Sequence, residues 1–183
     1  MKNCILLFSG GIDSTACLHY YLEQEFVVNL VFINYGQISS ENEFKSAKKI
    51  ASYYDIDLNY LNYKPVKRFS KGEIMGRNAF LILAALLNYP EFKGIISLGI
   101  HSEVPYYDCS ELFFRDMQNL IEGYTDGQVI IDAPFLQWDK KTIYEYCKNN
   151  DIPIYLTYSC ESGTDKPCGE CSSCKDRRYL NVI

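Results

Sequence analysis

The sequence predicts an α/β protein built on a doubly wound, mostly parallel sheet. Short apolar runs alternate with segments of helical period along the 183 residues, the pattern of repeated βα units. The runs are continuous rather than alternating, as strands covered on both faces require. A glycine-rich loop, SGGIDST at 9–15, separates the first run from the first helical segment, and open α/β sheets bind ligands at the carboxyl ends of such strands.

The elements follow in order. CILLF (4–8) is the first strand, and Cys17, Leu18, Tyr21 and Leu22 recur at helical spacing after it. VVNLVFINYG (27–36) is the second strand. In SSENEFKSAKKIASYY, Phe44, Ala47, Ala51 and Tyr54 share one helical face, with Ser39 or Ser40 as the cap. NYLNY is a weaker third strand. RNAFLILAALLNY (77–89) is apolar nearly all round and is expected to be a central, buried helix. GIISLGI (94–100) is the fourth strand. SELFFRDMQNLIEGY is an amphipathic helix with capping chemistry among Asp108, Ser110 and Glu111. QVIIDAPF (128–135) is the fifth strand and DKKTIYEYCKNN the last clear helix. The expected organisation is a single domain over 1–183, with an α/β core at 1–150 and a metal-binding segment at 151–183.

Composition narrows the class. Apolar residues make up 48% of the chain, as in a globular protein. A net charge of −5 makes nucleic acid a poor default partner. No apolar run is long enough to cross a bilayer, and the run in MKNCILLFSGG is too short for a signal peptide. Four of the 8 cysteines crowd into 160–174, unlike a secreted disulfide scaffold, so the expected compartment is the cytoplasm.

The opening loop suits an anion. Gly10 and Gly11 let the backbone approach a phosphate, the following helix start offers free N–H groups, and Ser9, Ser14 and Thr15 add hydroxyls. Asp13 fits phosphate only with Mg²⁺ between them. The plainer alternative is a glycine-rich turn with Asp13 and Ser14 as caps. The loop is neither a Walker A motif nor a G-x-G-x-x-G fingerprint.

The second motif is CESGTDKPCGECSSC, with Cys160, Cys168, Cys171 and Cys174. Four thiolates at tight-turn spacing close a tetrahedron around structural Zn²⁺, and Gly163 and Gly169 allow the turns. Disulfides, an iron–sulfur cluster and free thiols are the alternatives. Cys4, Cys17 and Cys147 lie on apolar faces and read as core.

SGGIDS resembles the PP-loop of the ATP-pyrophosphatase superfamily. With the cysteine knot, the chain resembles the 7-cyano-7-deazaguanine synthase (QueC) family. FSGGIDSTACL, INYGQ, GRNAFLILAA, YYDCSELFF, APFLQWDK and the cysteine signature follow that family's order. The resemblance implies an ATP-dependent ligase. It would convert 7-carboxy-7-deazaguanine and ammonia to 7-cyano-7-deazaguanine (preQ0) through adenylated intermediates, releasing AMP and pyrophosphate. It implies ATP and Mg²⁺ held along Phe8, Ser9, Gly10, Gly11, Ile12, Asp13, Ser14, Thr15, Ala16, Cys17 and Leu18. It places Asp13, Ser14, Arg77 and Lys140 in catalysis, and Arg77, Asn78, Tyr107 and Asp108 at the substrate. Tyr35 or Tyr107 would stack on a base, while His101 is expected at the surface. The family's usual assembly implies a homodimer.

The chain departs from the family pattern. It is shorter between the third strand and GRN, it lacks the usual basic residues after Gln37, and GIHSEVPYYDC is compressed. These stretches surround the acceptor rather than ATP. A second reading therefore keeps the activation but transfers the acid to a protein partner, as compact QueC-like proteins of anti-phage systems would, or stops at the amide. A PP-loop tRNA-modifying enzyme is the third reading, disfavoured by the acidic charge. A purely structural zinc-knot module would leave the intact loop without a use.

Overall fold

The structure, a computed structural model, describes residues 2–66, 69 and 72–182. Five strands form one parallel sheet in the order β3-β2-β1-β4-β5. β1 (Asn3–Leu7) lies at the centre between β2 (Val27–Asn34) and β4 (Gly94–Leu98). β3 (Leu58–Asn62) and β5 (Val129–Asp132) are the edges. Leu6 of β1 stands opposite Leu30 on one side and Ser97 on the other. The connections run one way from β1 to β2 and return to β4. A crevice therefore opens at the carboxyl ends of β1 and β4.

Period-two geometry explains the apolar run of β1. Cys4, Leu6 and Phe8 enter one core, and Ile5 and Leu7 enter the other. The first core is closed by α1 (Ile12–Glu23), α2 (Ser40–Tyr53) and α5 (Lys140–Asn149), through Tyr21, Ile50 and Ile143. The second is closed by α3 (Arg77–Asn88) and α4 (Glu111–Thr125), through Ile82, Phe113, Met117 and Ile121. Full burial of one such aliphatic or aromatic side chain contributes about 1.5–3 kcal/mol. A last helix, α6 (Ser172–Tyr179), follows the cysteine segment.

The differences from the sequence reading have local causes. β2 and β4 end before their apolar runs do, because Gly36 turns the chain out at φ +92° and Gly99 packs against the start of α1. β3 reads weakly because an edge strand leaves Asn59, Tyr60 and Asn62 exposed. α3 is not buried all round: Phe80 is 37% exposed and Leu87 75%, since only the Asn78, Ile82, Ala85 face meets the sheet. Ser39 does not cap α2 through its side chain, whereas Ser110 caps α4 by accepting the Phe113 N–H at 3.2 Å. Cys4, Cys17 and Cys147 are fully buried, and burial pushes their thiols up, Cys147 to about 12. They pack; they do not react.

Gly99 is where the fold sets the crevice. A Cβ at this position would lie 2.7 Å from the Ser14 nitrogen and 2.8 Å from the Asp13 carbonyl carbon, both backbone. Gly99→Ala is expected to lower unfolding stability by about 1–3 kcal/mol, measured by denaturant titration, because α1 must move to make room.

Candidate active site

The loop after β1 is held from behind. Gly10 has φ +75°, and a Cβ there would meet the Ala47 nitrogen of α2 at 2.5 Å. Its carbonyl oxygen accepts the Tyr158 N–H at 3.0 Å and lies 2.8 Å from the Ser46 hydroxyl. The Gly11 carbonyl takes the Thr15 N–H and hydroxyl and sits 3.1 Å from the Ser14 hydroxyl. The Ser9 and Ser14 hydroxyl oxygens are 3.2 Å apart. Asp13 stands in the first turn of α1. Its Oδ2 is 2.6 Å from the Lys140 ammonium, while its Oδ1 is buried with no hydrogen-bond partner among the described residues.

These groups line one side of a cleft of about 630 Å³. Phe8, Ser9, Gly11, Ile12, Asp13 and Ser14 face it, whereas Gly10, Thr15, Ala16, Cys17 and Leu18 lie behind and brace the loop. Lys140 lines the cleft beside Asp13, and Arg77, Asn78, Tyr106, Cys109 and Tyr35 complete the lining. Tyr107 and Asp108 do not line it. Tyr107 is 56% exposed and donates to Asp116. Asp108 is buried and accepts the Asn78 backbone N–H at 3.1 Å, so it satisfies the start of α3 rather than that of α4. Asn78 in turn donates to the Asp108 carbonyl and fixes the chain there.

Three cleft groups lie outside the sequence reading. His101 is 7% exposed rather than a surface residue, because the loop after β4 folds under Trp138 and Lys140. Glu43 enters from α2 and accepts the Ser39 hydroxyl at 2.6 Å and the Gln37 amide at 3.0 Å. Burial pushes its carboxyl above the usual range despite those bonds and the nearby Arg77. The YGQ turn followed by a glutamate at the end of a strand was the available signal. Finally, Ser159, Glu161, Ser173 and Asp176 bring the cysteine segment itself to the cleft wall.

The four sulfurs of Cys160, Cys168, Cys171 and Cys174 all lie within 4.8 Å of one another, and the Cys168 and Cys174 sulfurs are 3.9 Å apart. A Zn–S bond of about 2.3 Å gives a tetrahedral edge of roughly 3.8 Å, so the donor set fits such an ion. Burial raises the Cys160 thiol. The Cys168 and Ser162 backbone N–H groups and the Thr164 hydroxyl outweigh that and hold it near 5, on the thiolate side. The segment is seated tightly: a Cβ on Gly163 would meet the Ile38 carbonyl at 2.5 Å, and the Gly163 carbonyl accepts from Asn42 at 3.0 Å. Arg177 ties it further, donating to the Thr157 hydroxyl at 2.9 Å and lying 3.2 Å from that of Ser159.

A parallel sheet switching at β1, a glycine loop at that switch and a cysteine knot define a PP-loop-type fold. Solved structures share it. NMN synthetase from Francisella tularensis superposes with a TM-score of 0.60 at 13% identity, over 98% of this chain and 76% of that one. The U34-tRNA thiolase NcsA from Methanococcus maripaludis, solved with its [4Fe-4S] cluster, gives 0.55 at 15% identity, over 99% and 67%. The sequence goes further. The profile of the family described as queuosine biosynthesis protein QueC matches residues 3–79 and 69–180, and the chain belongs to that family. The 7-cyano-7-deazaguanine synthase of Oceanobacillus iheyensis is 31% identical over 96% of this chain and 91% of its own length. That of Nautilia profundicola is 26% identical over 97% and 92%. The latter alignment spans 204 positions against 183 residues here, so the relative carries extra residues inside it. The two matched stretches share residues 69–79, which run into the start of α3. The chain is thus an enzyme of the ATP-dependent synthase kind.

Two expectations follow from the charges. Lys140→Met leaves Asp13 as an unpaired, largely buried carboxylate. It is expected to cost about 3 kcal/mol in a denaturant titration at pH 7, with Asp13→Asn added to it restoring most of the loss. Glu43 binds its proton more tightly folded than unfolded, so its contribution is fully present below about pH 4.5 and is lost as pH rises through the folded pKa. Glu43→Gln should therefore gain stability relative to the native chain between pH 4.5 and 7, measured as the difference in Tm.

Proposed function

We propose that the protein is an ATP-dependent carbon–nitrogen ligase that converts 7-carboxy-7-deazaguanine and ammonia to 7-cyano-7-deazaguanine. The observation that carries this reading is the intact loop, its Asp13 Oδ1 without a partner among the described residues, sharing one cleft with Arg77 and Asn78 in a QueC-family chain. ATP lies with its phosphates on Ser9, Gly11, Ser14 and Lys140. Asp13 would hold Mg²⁺, which would supply positive charge to the phosphate oxygens. Arg77 holds the acid. Its carboxylate oxygen attacks the α-phosphorus, the bond to the bridging oxygen breaks, and pyrophosphate leaves. Ammonia then adds to the acyl carbon and AMP departs, giving the amide. A second ATP adenylates the amide oxygen with release of a second pyrophosphate, and loss of AMP and the two N–H protons leaves the nitrile. The protein's part is to orient the reactants and to offset the charge that develops on oxygen.

The four thiols hold Zn²⁺ in this reading. A closed tetrathiolate leaves no open position for catalysis, so the ion folds the segment, with apparent binding of about 10–16 kcal/mol. The enzyme works as a cytoplasmic homodimer. The internal residues that the Nautilia profundicola relative carries and this chain lacks favour one alternative: a cleft open enough for a protein amine to replace ammonia, or for release of the amide.

Mass spectrometry of one reaction tests the proposal. Zinc-loaded protein with Mg-ATP, ammonium and 7-carboxy-7-deazaguanine is expected to yield AMP and the nitrile. AMP with only adenylate or amide would support the alternative acceptor, and no AMP would overturn both. Elemental analysis should find one zinc and no iron per chain; iron with acid-labile sulfide would reject the zinc assignment.

A further inference from the structure

The loop after β4 carries a buried imidazole that the scheme above leaves unused. His101 lines the cleft, and its Nδ1 accepts the Glu103 backbone N–H at 3.3 Å. A ring nitrogen that accepts has a lone pair and no proton, so the neutral ring carries its proton on Nε2. Among the described residues, no hydrogen bond occupies Nε2. The loop that holds the ring is clamped. The Ser102 N–H and hydroxyl both donate to the Trp138 carbonyl at 2.9 Å, and the Lys140 N–H donates to the Glu103 carboxylate at 2.9 Å. Lys140, Asp13, Glu103 and Asp176 are charged groups whose fields act on the ring. Burial, followed by Lys140, holds the imidazole below its usual pKa, so it stays neutral at pH 7.

We propose that His101 binds the nucleotide as a fixed neutral donor, giving its Nε2–H to a phosphate oxygen of ATP. It is not a general base, because neither ring nitrogen is free to take a proton: one accepts the Glu103 N–H and the other already carries hydrogen. A donor locked in place by its own loop needs no reorganisation when the nucleotide arrives. The assignment rests on the cleft being the ATP site, and is independent of which acid is activated.

The chain has two histidines, so ¹⁵N-histidine NMR of the native protein resolves them. His19 sits on α1 beside Glu23 and serves as the internal control. The expected result is His101 in the Nε2–H tautomer at pH 7, with that signal moving on addition of Mg-ATP while His19 stays. Calorimetric titration gives the second readout. His101→Leu should weaken Mg-ATP binding by about 10- to 100-fold, the loss of one hydrogen bond to a charged group, with a lower Tm from the unpaired Glu103 N–H, a loss that His101→Gln shares. His101→Gln, whose amide places an N–H near the Nε2 position, should stay within about threefold of native. An Nδ1–H tautomer, a His101 signal indifferent to saturating Mg-ATP, or a Gln variant as weak as Leu would each overturn the proposal. If His101→Leu does not fold, the NMR of the native chain decides alone. A native chain that binds ATP but makes no AMP with the acid refutes the proposed reaction and leaves this test intact. A native chain that binds no ATP refutes both.

Discussion

The carbonyl oxygen of Gly10 is the point on which three distant parts of the chain converge. α2 reaches it through the Ser46 hydroxyl, and the C-terminal segment reaches it through the Tyr158 N–H. The same Ser46 hydroxyl lies 2.7 Å from the Leu156 carbonyl, tying the second group to the third. Gly10 tolerates this only because its φ is positive and no Cβ intrudes on Ala47. The loop is therefore shaped before any ligand arrives. Its carbonyls and hydroxyls are tied to one another and to α2 and the C-terminal segment, which fixes the loop's shape at the cleft.

That arrangement gives the cysteine segment a second task. It does not hang from the α/β core; it closes the cleft wall with Ser159, Glu161, Ser173 and Asp176. Glycine at 163 lets it sit directly on the Ile38 carbonyl, and Arg177 braces the approach through Thr157 and Ser159. A metal on these four sulfurs would also hold Tyr158 in place to bind Gly10. On the other wall, Lys140 answers Asp13 and Glu103 answers the Lys140 backbone, so α5 and the loop after β4 are drawn onto the start of α1. Charge and backbone geometry together make one site from four chain segments.

Much of this was legible in the sequence where local rules suffice. β1 and β2 were readable because both faces of a central strand are buried, leaving no polar alternation. The glycine loop and the four cysteines were readable because spacing alone limits what they can hold. β3 was faint because an edge strand carries polar residues. α3 was misread as fully buried because an apolar helix carries no mark of which face meets the sheet; Phe80, Leu83 and Leu87 remain outside. His101 and Glu43 were missed for a different reason. Each is an ordinary polar residue in sequence, and only the clamping of the neighbouring Ser102 and Glu103 onto Trp138 and Lys140 in one case, and the bonds from Gln37 and Ser39 in the other, make it part of a cleft. The placement of Asp108 at the start of α3, thirty residues away in the chain, is likewise a tertiary fact.

The central claim is that loop and cysteine segment form one nucleotide-binding unit. Calorimetric titration of Mg-ATP into metal-loaded protein, and into protein stripped of its tightly bound metal and returned to magnesium, tests it directly. The account predicts ATP affinity at least about tenfold weaker in the stripped protein, because Tyr158 no longer holds Gly10. Equal affinity in the two forms, with the segment shown to be unfolded in one, would contradict it.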